Sequence, residues 1–247
     1  MRSVAAVTFL DVRRRFQFRS VEICRWVTEP EKQRSAVQFY SALSDLMANL
    51  GGTESLISLR GTLALQYGIG GRPGVSAHYT PATRSFALAK NAGPGSIAHE
   101  WFHAFDHYIA DKLFPGTRPG DFGSRLWLTR EDAIAHPLND RLQACYKAVL
   151  LDVSGNQPST LFRQSVKADK VAGVQYYSQP EELCARAFEA FVQDAPHKNA
   201  FLVKGTKASE EAALGLYPEG EERARINAAF QRYFASLGQA LRRSEGA

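Results

Sequence analysis

The sequence predicts an α+β fold that is mostly helical, with one small mixed sheet in the first half of the chain. Between residues 54 and 90, short apolar segments alternate with glycine- and proline-containing turns, which is typical of strands. After residue 95, apolar residues recur at helical spacing. Hydrophobic residues make up 45% and charged residues 22% of 247, with no repeat or linker, so residues 1–247 are predicted to form a single domain.

The elements follow in order. Residues 1–28 are short apolar segments broken by arginines. A helix is predicted to start after Thr28, where Glu29, Pro30 and Glu31 suit a first turn, and to end at Leu50 before Gly51-Gly52. Strands are predicted at 55–59 and 62–67, a glycine-rich turn at 68–74, and a hairpin from strands 76–79 and 85–89. Helices are predicted, after a turn at 93–95, at 96–113, 138–152, 158–168, 180–194 and 220–243.

Composition indicates a soluble cytoplasmic protein with no membrane partner. The net charge is +5, an excess typical of a solvated surface. The three cysteines, Cys24, Cys145 and Cys184, form no CxxC pair, which favours a reducing compartment. The N-terminus does not resemble a signal peptide, and no apolar run has the length of a membrane span. The basic runs 13–15 and 242–243 are too short to indicate a nucleic-acid partner, and nothing indicates the oligomeric state.

The segment His99-Glu100-Trp101-Phe102-His103 is the strongest functional signal. On a helix, His99 and His103 lie one turn apart on the same face, where two neutral imidazoles can bind one zinc ion with room for a third ligand and a water. Glu100 lies beside them and can accept the proton of that water. Apolar residues surround the motif, and burying these polar groups without a partner would be costly. The motif therefore predicts a zinc site with Glu100 as the base.

Two further polar residues follow on the same helix. His107 extends the series 99, 103, 107, but eight residues of helix span about 12 Å, too far for His99 and His107 to share one ion. Asp106 lies three residues after His103 and is predicted to orient an imidazole.

A candidate for the third zinc ligand lies later in the chain. Ser178-Gln179-Pro180-Glu181 has the form of a capping box that opens a helix, which accounts for Glu181 but not for Glu182. Glu182, Arg186 and Glu189 then share one stripe at helical spacing. From the residues alone, this stripe is either an exposed, salt-bridged surface or part of the zinc site.

The two motifs resemble the peptidase domain of anthrax lethal factor. Residues 99–108 are similar to its zinc helix, with an alanine, an aspartate and a tyrosine at the same offsets. Residues 182–188 are similar to a later helix of that domain, in which the first glutamate is the third zinc ligand. The resemblance implies that Glu182 binds zinc, with Arg186 and Glu189 around it. The arginine at 186 replaces an acidic residue of that pattern.

The resemblance also implies a tyrosine shortly before the ligand glutamate. Tyr176 and Tyr177 precede Glu182 by six and five residues, and the spacing in lethal factor is one residue longer. We favour Tyr176 as the phenol that stabilises an oxyanion. The alternative is that both tyrosines only pack.

A second resemblance covers most of the chain. The segments 59–64, 77–79, 95–101 and 216–220 are similar to the bacterial family labelled CLCA-X and to the large polyvalent protein-associated domain of phage and mobile-element proteins. With the HEXXH motif, this implies one zincin-like domain over residues 1–247.

These observations predict a zinc-dependent hydrolase, a metallopeptidase that acts on a peptide or protein. The alternative is a non-catalytic accessory domain, stabilised by zinc and associated with phage or mobile elements, although a structural site has no need of a base such as Glu100. A zinc hydrolase that cleaves another kind of bond also fits the sequence.

Overall fold

The structure, a computed structural model, describes residues 7–69, 77–90 and 96–246. The described helices are α1 (Phe9–Phe16), α2 (Glu29–Leu50), α3 (Glu54–Ile57), α4 (Ser96–Leu113), α5 (Gly123–Trp127), α6 (Pro137–Leu150), α7 (Thr160–Ala172), α8 (Pro180–Asp194), α9 (Glu210–Ala213) and α10 (Gly220–Glu245). The described strands are β1 (Ser20–Ile23), β2 (Ala64–Tyr67), β3 (Ala77–Thr80) and β4 (Ser85–Leu88). The predicted α+β, mostly helical fold class is confirmed.

The four strands form one mixed sheet in the order β1-β2-β4-β3. β1 and β4 both pair with β2 in parallel, with Tyr67 opposite Leu88. β3 pairs with β4 in antiparallel orientation, with Tyr79 opposite Phe86. β3 is therefore an edge strand, and the predicted hairpin before α4 is confirmed.

Two helices begin and end where local sequence signals place them. At the start of α2, the Glu31 carboxylate accepts a hydrogen bond from the backbone N–H of Thr28 at 2.9 Å. At its end, Gly51 takes a left-handed conformation with φ of 58°. α4 runs from Ser96 to Leu113, as the periodicity predicts.

One prediction for the first third of the chain is wrong. Residues 55–59 do not form a strand: Leu56 and Ile57 are both buried, which a helical turn allows and one face of a strand does not. The segment 1–28 contains regular structure, because α1 buries Phe9, Val12 and Phe16 at helical spacing before the chain enters β1.

α4 lies between the aromatic core and the functional residues described below. Phe102 packs against Phe188 of α8, with ring centroids 4.9 Å apart, and Phe105 packs against Phe234 of α10 at 5.5 Å. Trp101 is fully buried and donates a hydrogen bond from Nε1 to the Ile57 carbonyl at 3.0 Å. This packing fixes the rotation of α4, and with it the direction of its other face.

Three predicted segments are not fully covered by the structure. Residues 70–74 of the glycine-rich turn, residue 76 of the hairpin and residues 93–95 before α4 lie outside the described residues. Among the described helices, none combines the length and the apolar character that crossing a bilayer requires.

Candidate metal centre

Two helices bring the predicted ligands together. His99 and His103 of α4 face each other, with their Nε2 atoms 2.9 Å apart. Glu182, in the first turn of α8, places Oε2 3.2 Å from His99 Nε2 and Oε1 3.2 Å from His103 Nε2. One ligand atom from each residue lies within 4.8 Å of the other two. The convergence predicted from residues 83 positions apart is therefore present in the structure.

These spacings fit a single metal ion. Ligand atoms at 2.0–2.2 Å from a tetrahedral zinc ion lie roughly 3.3–3.6 Å from one another. The 2.9 and 3.2 Å separations are slightly shorter, so a small outward movement of the side chains accommodates an ion. Two imidazole nitrogens and one carboxylate are ligands that zinc takes at catalytic sites.

The ligands also leave polar atoms unsatisfied. Glu182 Oε2 is buried and receives no hydrogen bond of acceptable geometry, and His103 Nδ1 is likewise buried without a partner. Burial acts to lower the pKa of His99, but hydrogen bonds with Glu182 and Glu189 raise this pKa well above its usual value. Burial acts to raise the pKa of Glu182, but the two imidazoles lower it. The cluster thus favours a positive charge beside the Glu182 carboxylate.

Glu189 holds His99 in position. Its Oε1 lies 2.6 Å from His99 Nδ1, the ring nitrogen that points away from Glu182. A bond at Nδ1 leaves Nε2 as the ligand atom, which is the usual arrangement of a carboxylate behind a metal-binding histidine. Tyr217, in the loop between α9 and α10, donates a hydrogen bond to the second oxygen of Glu189 at 3.1 Å.

Sequence analysis did not single out Tyr217 as a site residue. Tyr217 lies in the segment 216–220, which resembles a family segment. That resemblance does not indicate which side chain Tyr217 contacts. The contact with Glu189 depends on how that loop returns to α8.

Glu100 lies beside the two histidines, as the motif predicts. It is only 7% exposed. Burial raises its pKa above the usual glutamate value, and His99 and His103 partly oppose this shift. His78 of the edge strand β3 is also close enough to influence the Glu100 carboxylate. A buried carboxylate with a raised pKa is suited to gaining and losing a proton near neutral pH.

Asp106 does not hydrogen-bond to an imidazole, contrary to its predicted role. Its Oδ1 accepts hydrogen bonds from the Ser124 N–H at 2.9 Å and from the Tyr146 hydroxyl at 2.6 Å, and its Oδ2 accepts one from the Ser124 hydroxyl at 2.5 Å. Burial raises the pKa of Asp106 to about 6, and these donors oppose the shift. Because α5 and α6 supply the donors, Asp106 ties these helices to α4, and Glu189 takes the orienting role.

Arg186 lies behind Glu182 and connects three segments. Its guanidinium donates to the carbonyl of Leu216 at 2.9 Å, to the carbonyl of Tyr177, and to the Ser165 hydroxyl at 3.3 Å. Its Nη1 lies 3.8 Å from Glu182 Oε2. The predicted position beside the ligand is observed, and the charge is used mainly to hold the surrounding chain.

The two candidate tyrosines have different surroundings. Tyr176 is 48% exposed, yet burial and the neighbouring Glu182 and Glu100 carboxylates raise its pKa, which places the phenol on the side of these two carboxylates. Tyr177 lies under the Arg186 guanidinium, with 5.7 Å between this group and the ring centroid. The geometry therefore favours Tyr176 over Tyr177 as the phenol that faces the site.

Asp169 positions the loop that carries Tyr176. Its carboxylate accepts hydrogen bonds from the backbone N–H groups of Tyr176 at 3.0 Å, Tyr177 at 2.8 Å and Ser178 at 2.9 Å, and from the Ser178 hydroxyl at 2.5 Å. Sequence analysis missed this residue. The signal was an acidic side chain in the last turn of α7, where the helix dipole disfavours it unless it has another partner.

The predicted capping box at the start of α8 is wrong. Gln179 is the N-cap, and the Ser178 hydroxyl bonds to Asp169 instead. Glu181 forms an ion pair with Arg125 of α5. Ser178 and Glu181 therefore each bind a residue from another helix and do not form the predicted capping box with each other.

His107 lies away from the three converging residues. Its Nδ1 is 2.7 Å from the Tyr79 hydroxyl, and its ring packs against Phe122. It therefore joins α4 to the edge strand β3, and the distance argument against His107 as a ligand agrees with the structure.

Comparison with known proteins supports part of the predicted relationship. Residues 168–241 match the family model of large polyvalent protein-associated domain 1. This segment, less than half of the chain, contains Tyr176, Glu182, Glu189 and Tyr217, whereas α4 lies outside it. Neither the curated proteins nor the solved structures gave a match. None of these comparisons names a peptidase.

Proposed function

We propose that this protein is a zinc-dependent hydrolase of the zincin-like metallopeptidase class. The observation that carries the proposal is the convergence of His99, His103 and Glu182 around a buried Glu182 oxygen without a hydrogen-bond partner, with Glu100 beside them. Burying two imidazoles and two carboxylates together is costly unless they are paired with one another or coordinate a metal ion.

Each residue has a distinct part in the proposed reaction. His99, His103 and Glu182 would hold the ion, which when bound supplies Lewis acidity toward water and the substrate carbonyl. Glu100 takes the proton of the attacking water and passes it to the leaving amine. The Tyr176 phenol donates a hydrogen bond to the oxygen on which negative charge develops. Glu189 keeps His99 in the orientation that presents Nε2.

The arrangement supports catalysis over a purely structural role for the metal. Structural zinc sites close all four positions with protein ligands, often cysteines. Within the described residues, three ligand groups meet, and the buried Glu100 would have no task at a structural site. A non-catalytic accessory domain would retain the metal-binding residues without any effect of Glu100 on chemistry.

Peptide is the proposed substrate class. β3 pairs with β4 on one side only, and His107 of α4 lies 2.7 Å from Tyr79 of this strand. An extended peptide can add to such a free strand edge and pass close to α4. The resemblance of both motifs to a zinc peptidase supports the same substrate class.

Metal analysis of purified variants tests the ligand set. We expect His99→Ala and Glu182→Gln to lose zinc, as measured by mass spectrometry of the metal content. Two matched controls are available: His107→Ala, on the same helix, and Glu181→Gln, the neighbouring acid paired with Arg125. Zinc retained at wild-type stoichiometry in His99→Ala and Glu182→Gln would overturn the assignment.

A peptide library tests the reaction. We expect the zinc-loaded protein to cleave peptides in the library, with products identified by mass spectrometry, and Glu100→Gln to retain zinc but lose cleavage. Full zinc occupancy without cleavage of peptide or protein substrates by the wild-type chain would favour the accessory-domain alternative. Equal cleavage by Glu100→Gln would remove this residue from the mechanism.

A further inference from the structure

A second concave site lies on another side of α4. An open cavity of about 620 Å³ lies between α3, α4, α6 and α10. α4 contributes Phe105, Tyr108, Ile109 and Lys112 to its wall. The three metal-binding residues do not line it, so the cavity is separate from the proposed catalytic site.

The wall of this cavity is mainly apolar. Its aliphatic lining residues come from several elements and include Leu56, Leu59, Leu138, Leu237 and Leu241. Small-molecule sites have volumes of roughly 300–1,000 Å³ and combine an apolar wall with a few polar groups. In size and character, the cavity falls within this class.

The charged residues that line the cavity are basic. Arg60 is exposed and, within the described part of the chain, has no hydrogen bond or ion pair to its guanidinium. Lys112 Nζ lies 3.9 Å from the centroid of the Tyr108 ring and 2.6 Å from Asp111. Glu245 lies in an adjoining hollow with Arg60, but its carboxylate accepts hydrogen bonds from the Thr53 and Ser55 hydroxyls. A free guanidinium at an apolar cavity favours an anionic ligand group.

The backbone beside the cavity is strained. Leu59 and Arg60 have φ values of 52° and 57°, in the left-handed region that non-glycine residues rarely occupy. Both residues line the cavity. Such a conformation is energetically costly and is concentrated at functional positions. Here it presents the Arg60 side chain at the cavity.

We propose that this cavity binds an amphipathic carboxylate, an anion with an apolar body such as a medium-chain fatty acid. The apolar body lies against the leucines and Phe105, and the carboxylate is held by Arg60. The site is independent of the metal centre, so its occupation does not require His99, His103 or Glu182.

Calorimetric titration with dodecanoate, below its micelle concentration, tests the proposal on the full chain. We expect dodecanoate to bind at one saturable site and the cation dodecyltrimethylammonium to bind more weakly. Arg60→Gln should lower the affinity for dodecanoate by roughly two- to fivefold, because the ion pair that it removes is partly exposed to solvent. Arg14→Gln, an exposed arginine of α1, is the matched charge control and should bind as the wild type does. Equal affinity for the cation and the anion would overturn the assignment of an anionic ligand.

A variant that fills the cavity distinguishes this site from nonspecific binding. Ala240 is an exposed residue of α10 that lines the cavity, and Ala240→Phe should abolish dodecanoate binding. Ala228→Phe, at an exposed position on the same helix, should retain it. Thermal unfolding confirms that both variants fold. Unchanged binding by folded Ala240→Phe, or no saturable binding by the wild type, would contradict the proposal.

Discussion

Glu189 Oε1 lies 2.6 Å from Nδ1 of His99, and this contact links α8 to the HEXXH helix. It selects the tautomer that exposes Nε2 to Glu182, while Tyr217 holds the other carboxylate oxygen at 3.1 Å. α8 therefore supplies both a candidate ligand and the group that orients another ligand.

Glu189→Gln should weaken zinc affinity by about 10- to 100-fold, because the amide retains an acceptor oxygen but loses the charge that supports His99. Competition with a zinc chelator measures the change. The exposed Glu210→Gln of α9 is the control, and it should bind zinc as the wild type does. Wild-type affinity in Glu189→Gln would show that the carboxylate does not support the ligand.

Tyr176→Phe should lower kcat/KM by about 100-fold with unchanged zinc content, because removal of one oxyanion donor typically costs this much. Tyr177→Phe keeps the ring under Arg186 and should have little effect. Steady-state kinetics on a cleaved peptide, with metal analysis of both variants, separates the two residues. A greater loss in Tyr177→Phe would reverse the assignment.

Asp169→Asn should lower the free energy of unfolding by about 1–3 kcal/mol at pH 7, because one amide oxygen cannot accept all the hydrogen bonds that the buried carboxylate receives. Urea unfolding measures this change. Asp140→Asn, at an exposed position in α6, is the control. Unaltered stability of Asp169→Asn at pH 7 would contradict the positioning role.

The same carboxylate predicts a pH dependence. Burial acts to raise the pKa of Asp169, but hydrogen bonds from the Ser178 side chain and the backbone outweigh it, so the pKa is lowered. The unfolded state then binds more protons, and the stabilisation is present above the unfolded pKa of about 4 and lost as pH falls through the folded pKa. Below about pH 4, the stability difference between the wild type and Asp169→Asn should narrow.

Arg186→Lys should destabilise the fold by about 1–3 kcal/mol, because an ammonium group cannot reproduce the divergent hydrogen bonds to Leu216, Tyr177 and Ser165. Arg163→Lys, at an exposed position of α7, should change stability much less. Urea unfolding of both variants makes the comparison, and equal stability losses would argue against a special role for Arg186.

Local signals in the sequence predicted the longer helices α2, α4, α6, α7, α8 and α10, whereas the shorter helices α1, α3, α5 and α9 were not predicted. The bounds of α2 and α4 follow from the first-turn residues, the periodicity and, for α2, the stop at Gly51. The same locality makes the pairing of His99 and His103 predictable, because four residues along a helix always return to the same face. α1 also has a local signal, because Phe9, Val12 and Phe16 recur at helical spacing.

Contacts between distant segments could not be predicted from local sequence patterns. Asp106 has the spacing of an imidazole partner, yet Ser124 and Tyr146 approach from other helices and take both of its oxygens. Ser178 and Glu181 have the spacing of a capping box, yet Asp169 and Arg125 bind them instead. In each case, a tertiary partner competes successfully with the local one.

The sequence by itself determined the α4 segment and its contents: two histidines on one face, Glu100 beside them, and the aromatic residues that bury the helix. Only the tertiary structure decided what meets that face. The packing of α4 against α8 brings Glu182 to the two Nε2 atoms and Glu189 to His99 Nδ1. The physical reason is one of range: helix periodicity acts over a few residues, whereas these contacts join residues 79 to 90 positions apart through the packing of a shared aromatic core.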